Sequence, residues 1–161
     1  MSPSLLVKDR IVVPCPAEQA RSFLQDIAMI EKYEPKLSRA EVHPSGETRG
    51  TYETHGYFAG LPWQGKFSYE LTPAGFFSEM LEGPVQGLQV SGGFEVAALG
   101  PSLCLVTHHE KYALRAWYLI LPLLPAIKAY LTMAIHKELQ DLKSLMLAKL
   151  ASAPTPAEVS V

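Results

Sequence analysis

The sequence predicts an α+β fold: a curved antiparallel sheet of about seven strands wrapped on a long C-terminal helix, with two short helices after the first strand. Two observations support this prediction. All 11 glycines lie between Gly46 and Gly100, and glycine suits turns while it weakens helices, so the middle of the chain should consist of strands. Beyond it, apolar residues recur every three or four positions from Ile127 to Leu150, which is typical of one long helix.

The N-terminal part of the chain predicts one strand and two short helices. Residues 5–13 favour a strand. Pro16 stands at the start of a helix, a position that proline tolerates well. A second short helix is predicted over residues 29–33, because Pro35 restricts the residue before it to extended backbone. The apolar stripe of the first helix consists of Ala20, Phe23, Leu24 and Ile27.

The glycine-rich middle predicts a meander of about six strands. Trp63, Phe67 and Tyr69 alternate with polar residues along one segment, and Phe94 alternates in the same way along a later one. This period of two is typical of strands with one buried face, and the short connections favour hairpins. The helix over residues 125–150 is the element long and amphipathic enough to fill the concave face of such a sheet.

The chain of 161 residues predicts one domain over residues 1–150 and a disordered C-terminal tail over residues 151–161. The net charge of −2 argues against nucleic acid as a partner. The two cysteines, Cys15 and Cys104, are too few for a disulfide framework and are interpreted as small core residues. The first residues lack the pattern of a signal peptide, so a cytoplasmic protein is expected.

Three segments follow one another along the chain in an order that resembles a known family. They are a first strand that runs into residues 13–20, residues 30–37 before the second strand, and residues 122–125 before the last helix. Over roughly residues 4–148, their order and lengths resemble the START/polyketide cyclase (SRPBCC) superfamily, which has the helix-grip fold. The resemblance implies a cavity between sheet and C-terminal helix that holds an apolar or aromatic molecule. Members include lipid and quinone carriers, hormone receptors, polyketide aromatase/cyclases and chaperone co-factors, so the fold alone does not select an activity.

The candidate site combines aromatic side chains with one polar row. His108, Glu110 and Tyr112 are two residues apart in one predicted strand and therefore share a face. If this face is the inner one, the row can bind the polar end of a ligand, and His108 and Glu110 are candidates for proton transfer. The alternative is a solvent-facing row, and the alternation does not decide between the two. The predicted ligand-binding residues are Tyr52, Trp63, Phe67, Tyr69, Phe94, His108, Glu110, Tyr112 and Tyr130.

No cofactor and no metal ion are predicted. The sequence lacks the common nucleotide-binding, zinc-binding and nucleophile motifs. The neighbours His108 and His109 point to opposite faces of a strand, so they do not easily share one metal ion. His55 is interpreted as a surface residue.

An uncharged apolar segment over residues 119–125, from Leu119 to Pro125, precedes the last helix. It is interpreted either as packing before that helix or as a gate that touches a membrane transiently during ligand exchange. It contains no dense basic cluster, which argues against a permanent membrane anchor.

Three functions are compatible with the sequence. The favoured one is the binding, and potentially the transport, of a hydrophobic small molecule such as a lipid, a quinone or a polyketide-like compound. The alternative is an enzyme of the polyketide aromatase/cyclase type that uses acid/base residues of the cavity. The third is a protein-interaction module with a filled interior.

Overall fold

The strands and helices follow the predicted order in a computed structural model, which describes residues 4–153 apart from the side chain of Trp117. The strands are β1 (Ser4–Val13), β2 (Leu37–Pro44), β3 (Arg49–Phe58), β4 (Leu61–Thr72), β5 (Gly75–Glu82), β6 (Leu88–Gly100) and β7 (Leu103–Leu114). The helices are α1 (Ala17–Gln25), α2 (Ile30–Tyr33) and α3 (Leu124–Ser152), with single 3-10 turns at Ile27–Met29, Trp117–Leu119 and Leu121–Leu123.

The seven strands form one antiparallel sheet in the order β1-β7-β6-β5-β4-β3-β2. Strands β2 to β7 pair consecutively as a meander, and β1 pairs with β7. The connection through α1 and α2 therefore carries the chain from one edge of the sheet to the other. The curved sheet, the long C-terminal helix and the short helices after β1 confirm the predicted helix-grip fold.

Helix α3 begins one residue before the predicted start and ends at Ser152. Ala151 and Ser152, predicted as part of a disordered tail, are helical, and residues 154–161 of that tail lie outside the described residues. One charged residue, Glu138, is buried among the apolar residues on the inner face of α3. The buried apolar residues of α3 are Leu131, Ile135, Leu139, Leu142 and Met146.

The core has two parts. The larger part joins α1, α2 and the C-terminal half of α3 to the inner face of the sheet, and it contains Cys15 and Cys104 as buried free thiols. The smaller part consists of Val7, Leu131 and Ile135 near the start of α3. Residues of both parts line the interior cavity, among them Phe94 of the larger part and Leu131 of the smaller one.

Gly56 of β3 allows the segment before β2 to approach closely. The backbone N–H of Tyr57 donates a 3.0 Å hydrogen bond to the carbonyl oxygen of Lys36. A Cβ atom at Gly56 would overlap that same carbonyl oxygen. Lys36, whose side chain enters the interior, can therefore take its position only beside a residue without a side chain.

We expect Gly56→Ala to lower the free energy of unfolding by about 1–3 kcal/mol, because backbone must move to relieve the overlap. Urea denaturation followed by circular dichroism measures the change. Gly46→Ala is the matched control, since a Cβ atom at Gly46 has no neighbour within 4 Å. Equal stability of both variants would show that the close approach at Gly56 does not constrain the fold.

Candidate functional site

A cavity of about 640 Å³ lies between the sheet and α3. Its wall is mostly apolar and aromatic, with a small group of charged side chains. Seven of the nine residues predicted to bind ligand line this cavity: Tyr52, Trp63, Phe67, Phe94, His108, Glu110 and Tyr112.

The other two predicted residues, Tyr69 and Tyr130, do not line the cavity. Tyr69 points inward from β4 as predicted, but it is packed into the larger part of the core, with its ring 6.3 Å from the ring of Tyr52. Tyr130 of α3 packs edge-on against Phe58, and its hydroxyl accepts a 3.1 Å hydrogen bond from the backbone N–H of Ala59. These contacts make Tyr69 a core residue and Tyr130 a link between α3 and the β3–β4 turn.

The inner face of β7 carries the polar row that the sequence left undecided. His108 and Glu110 are 4% and 8% exposed, and both line the cavity. The imidazole of His108 stacks on the ring of Phe94, with a centroid distance of 3.9 Å and an interplanar angle of 11°. Its Nδ1 atom lies 2.9 Å from the carbonyl oxygen of Gly93. Because a carbonyl oxygen only accepts, Nδ1 must donate, and Nε2 faces the interior.

Glu110 forms a buried ion pair with Lys36, which the sequence analysis did not identify. The ammonium of Lys36 donates to both carboxylate oxygens of Glu110, at 2.7 and 2.9 Å, and to the hydroxyl of Tyr112 at 3.2 Å. The Tyr112 hydroxyl in turn donates to Glu110 at 2.7 Å. Burial by itself would raise the pKa of Glu110, but Lys36 and His108 hold it well below its usual range. Glu110 therefore stays ionised, and both of its carboxylate oxygens already accept hydrogen bonds from Lys36 or Tyr112.

Two further carboxyl groups, those of Glu138 and Glu34, lie close to His108 and Lys36. Oε2 of Glu138 lies 3.3 Å from Nε2 of His108, and Oε1 of Glu110 lies 3.8 Å from the same nitrogen. Burial would lower the pKa of His108, but Glu138 and Glu110 raise it to about 10. Burial and the nearby Glu138 raise the pKa of Glu34 well above its usual value. His108 is consequently a cation at neutral pH, whereas Glu34 favours its neutral form.

We call Glu34, Lys36, His108, Glu110, Tyr112 and Glu138 the polar cluster. Sequence reasoning missed three of its members. Glu34 and Lys36 flank a proline between α2 and β2, where no periodicity predicts burial. Glu138 did carry a signal: it lies three residues after Ile135 and four before Leu142, which is the spacing of the buried face of α3.

The polar cluster offers oxygen and nitrogen atoms that could approach a metal ion, since one atom each of Glu34, His108, Glu110 and Glu138 lies within 4.8 Å of the others. However, Lys36 already places a positive charge 2.7 Å from Glu110 and 3.7 Å from Glu34. A cation bound at these carboxylates would have to displace this ammonium. The geometry therefore favours an internally paired cluster over a metal centre.

The apolar segment over residues 119–125 contributes to the wall of the cavity and also has exposed residues. Ile120 and Leu124 line it, whereas Leu119 and Leu123 are 69% and 59% exposed. Leu61, in the β3–β4 hairpin, also lines the cavity and is exposed. Within residues 4–153, no helix is both long and apolar enough to cross a bilayer.

We expect Lys36→Met to lower the free energy of unfolding by about 3–5 kcal/mol, because it leaves the Glu110 carboxylate buried without its ion-pair partner. The double variant Lys36→Met/Glu110→Leu should recover most of this loss. Lys66→Met is the control: Lys66 lies 3.8 Å from Glu53 in a half-exposed pair and should change stability by less than about 1 kcal/mol. Urea denaturation gives all values, and a double variant no more stable than the single one would show that the unpaired Glu110 carboxylate is not the cause of the loss.

No protein-family model and no curated protein sequence matches the chain. Solved structures do match. The Zhui aromatase/cyclase from a Streptomyces species has a TM-score of 0.76 at 17% identity, over 94% of this chain and 98% of that one. A START superfamily protein from Mycobacterium smegmatis has a TM-score of 0.72 at 14% identity, over 89% and 98%. Norcoclaurine synthase from Thalictrum flavum has a TM-score of 0.67 at 13% identity, over 91% and 88%. These similarities show that the protein has the helix-grip fold that the three structures share.

Proposed function

We propose that this protein binds a hydrophobic small molecule such as a lipid, a quinone or a polyketide-like compound, and that this binding can serve transport of the molecule. The observation that carries the proposal is the apolar cavity of about 640 Å³ with one charged cluster in its wall. Small-molecule sites have volumes of roughly 300–1,000 Å³ and combine an apolar lining with a few placed polar groups. The third hypothesis, an interaction module, requires a filled interior and does not agree with this cavity.

The binding energy would come mainly from burial of the ligand. Enclosing ~300 Å² of apolar ligand surface contributes about 7 kcal/mol before the costs of ordering the ligand. Stacked aromatic walls support this mechanism, since the rings of Tyr52 and Phe67 lie parallel with centroids 5.2 Å apart. The polar cluster would then orient the polar end of the ligand.

The enzymatic alternative has one specific support. Two of the compared proteins are named as enzymes, an aromatase/cyclase and norcoclaurine synthase. In this chain, however, Glu110 is committed to Lys36 and Tyr112. An acid/base role would therefore fall to His108 and Glu138 rather than to the predicted pair His108 and Glu110.

We expect saturable binding of the neutral apolar dye Nile red, with competition by a lipid extract. Ser78→Trp should weaken this binding by tenfold or more, because Ser78 lines the cavity and an indole there would occupy ligand volume. Glu79→Trp is the matched control, on the exposed outer face of the same strand. Fluorescence titration measures both. Binding no stronger than that of an unrelated globular protein would refute the proposed function.

We also propose that the apolar segment over residues 119–125 touches a membrane while ligand is exchanged. The supporting observation is that this segment has exposed leucines beside residues that line the cavity. A ligand leaving the cavity here would pass from one apolar environment to another. The proposal places the protein in the cytoplasm, where reduced Cys15 and Cys104, with sulfur atoms 3.9 Å apart, are expected.

We expect ligand-loaded protein to float with phosphatidylcholine vesicles, and Leu119→Asp/Leu123→Asp to abolish the flotation. Leu99→Asp is the control, since Leu99 is 54% exposed but lies at the far end of the β6–β7 hairpin. Fractionation of a density gradient measures the recovered protein. If none floats, with or without ligand, the membrane contact is disproved while ligand binding is unaffected.

A further inference from the structure

Within residues 4–153, three buried side-chain atoms of residues that line the cavity lack hydrogen-bond partners. One is the indole Nε1 of Trp63, and the other two lie side by side. These are Nε2 of His108 and Oε2 of Glu138, which belong to side chains only 6% and 1% exposed. Both residues line the cavity. The two atoms lie 3.3 Å apart, close enough for charge attraction, yet neither forms a hydrogen bond. Leaving such atoms buried without hydrogen bonds is costly, and at a cavity wall they are placed where a ligand atom can bond to them.

The two atoms have opposite hydrogen-bonding roles. Nδ1 of His108 donates to the carbonyl oxygen of Gly93, and the neighbouring carboxylates keep the ring protonated, with a pKa raised to about 10. Nε2 is therefore a donor at neutral pH. Oε2 of Glu138 is a carboxylate oxygen, which accepts. The cavity thus presents one donor beside one acceptor.

The other charged members of the polar cluster have partners within it, and Glu34 favours its neutral form. Lys36 is held by Glu110 and Tyr112, and Glu34 accepts a 3.0 Å hydrogen bond from the backbone N–H of Lys36. The positive charges of Lys36 and His108 balance the negative charges of Glu110 and Glu138, which lie beside them. A ligand that brought a net charge would leave one buried charge without a partner.

We propose that the cavity selects apolar ligands that end in a neutral hydroxyl group, an alcohol or a phenol. The hydroxyl oxygen accepts from Nε2 of His108 and its proton is donated to Oε2 of Glu138. A hydroxyl is one donor and one acceptor on a single atom, which matches two wall atoms 3.3 Å apart. An ether or a quinone leaves Glu138 unpaired, and a carboxylate is repelled by it. This inference rests on the proposed function, because it names the ligand class of the same cavity.

The test uses four probes with one apolar skeleton, each substituted at the same ring position: naphthol, naphthalenemethanol, methoxynaphthalene and naphthoate. Each is titrated at neutral pH against Nile red bound to the wild-type protein. The hydroxyl probes should displace the dye at concentrations about tenfold or more below those of the other two, since a site built for a hydroxyl discriminates against analogues that lack it. The comparison of naphthol with naphthalenemethanol distinguishes a phenol site from an alcohol site.

Variants of Glu138 test directly whether its carboxylate determines the preference for a hydroxyl group. Glu138→Leu should remove the preference for hydroxyl over methoxy and should raise the affinity for naphthoate, because the repelling carboxylate is gone while His108 remains. Glu138→Gln, which keeps an acceptor oxygen, should retain part of the hydroxyl preference. Glu79→Leu is the control for an acidic residue on the outer face of β5 and should bind all four probes as the wild type does.

The outcomes separate this inference from the proposed function. If methoxynaphthalene or naphthoate binds the wild-type protein as tightly as both hydroxyl probes, the hydroxyl selectivity is wrong and ligand binding stands. The same conclusion follows if Nile red binds but none of the four probes displaces it. If Nile red does not bind either, both proposals fail. The wild-type comparison alone decides the question, so it does not depend on whether the variants fold.

Discussion

The ion pair between Lys36 and Glu110 joins the two ends of the sheet. Lys36 immediately precedes β2, which is one edge strand, whereas Glu110 lies in β7, which is next to the opposite edge. Their 2.7 Å contact is possible only because the sheet curves until both ends face the same interior. A buried ion pair adds little net stability, since removing two charges from water costs about what their attraction returns. Its consequence is geometric: it holds charged groups inside an otherwise apolar interior.

The cavity follows from how the interior is filled around this pair. Helix α3 supplies large apolar side chains, but between Ile135 and Leu142 its inner face carries Glu138. A carboxylate there cannot pack against the aromatic wall as a leucine would, and it faces His108 instead. Apolar residues of both core parts, such as Phe94 and Leu131, line the cavity around the charged groups. Space that would be costly in a fully apolar core is here lined by groups able to bind a ligand.

The comparison with known structures separates the framework from the site. Proteins at 13–17% identity share the sheet and helix arrangement over about nine-tenths of this chain. A curved sheet around one amphipathic helix requires only a pattern of apolar residues and turns, which many sequences satisfy. The chemistry of the cavity depends on a few positions, so this chain's own buried residues, rather than the shared fold, determine its function.

The sequence by itself determined the strands, the helices and their order, because glycine placement and apolar periodicity are local properties of the chain. It also placed His108, Glu110 and Tyr112 on one face of a strand, since alternation in a strand is geometric. Only the tertiary structure decided that this face is the inner one and that Lys36 and Glu138 meet it. Lys36 and Glu110 are 74 residues apart in sequence. Contacts over such separations arise from the curvature and closure of the whole sheet, which no local pattern encodes.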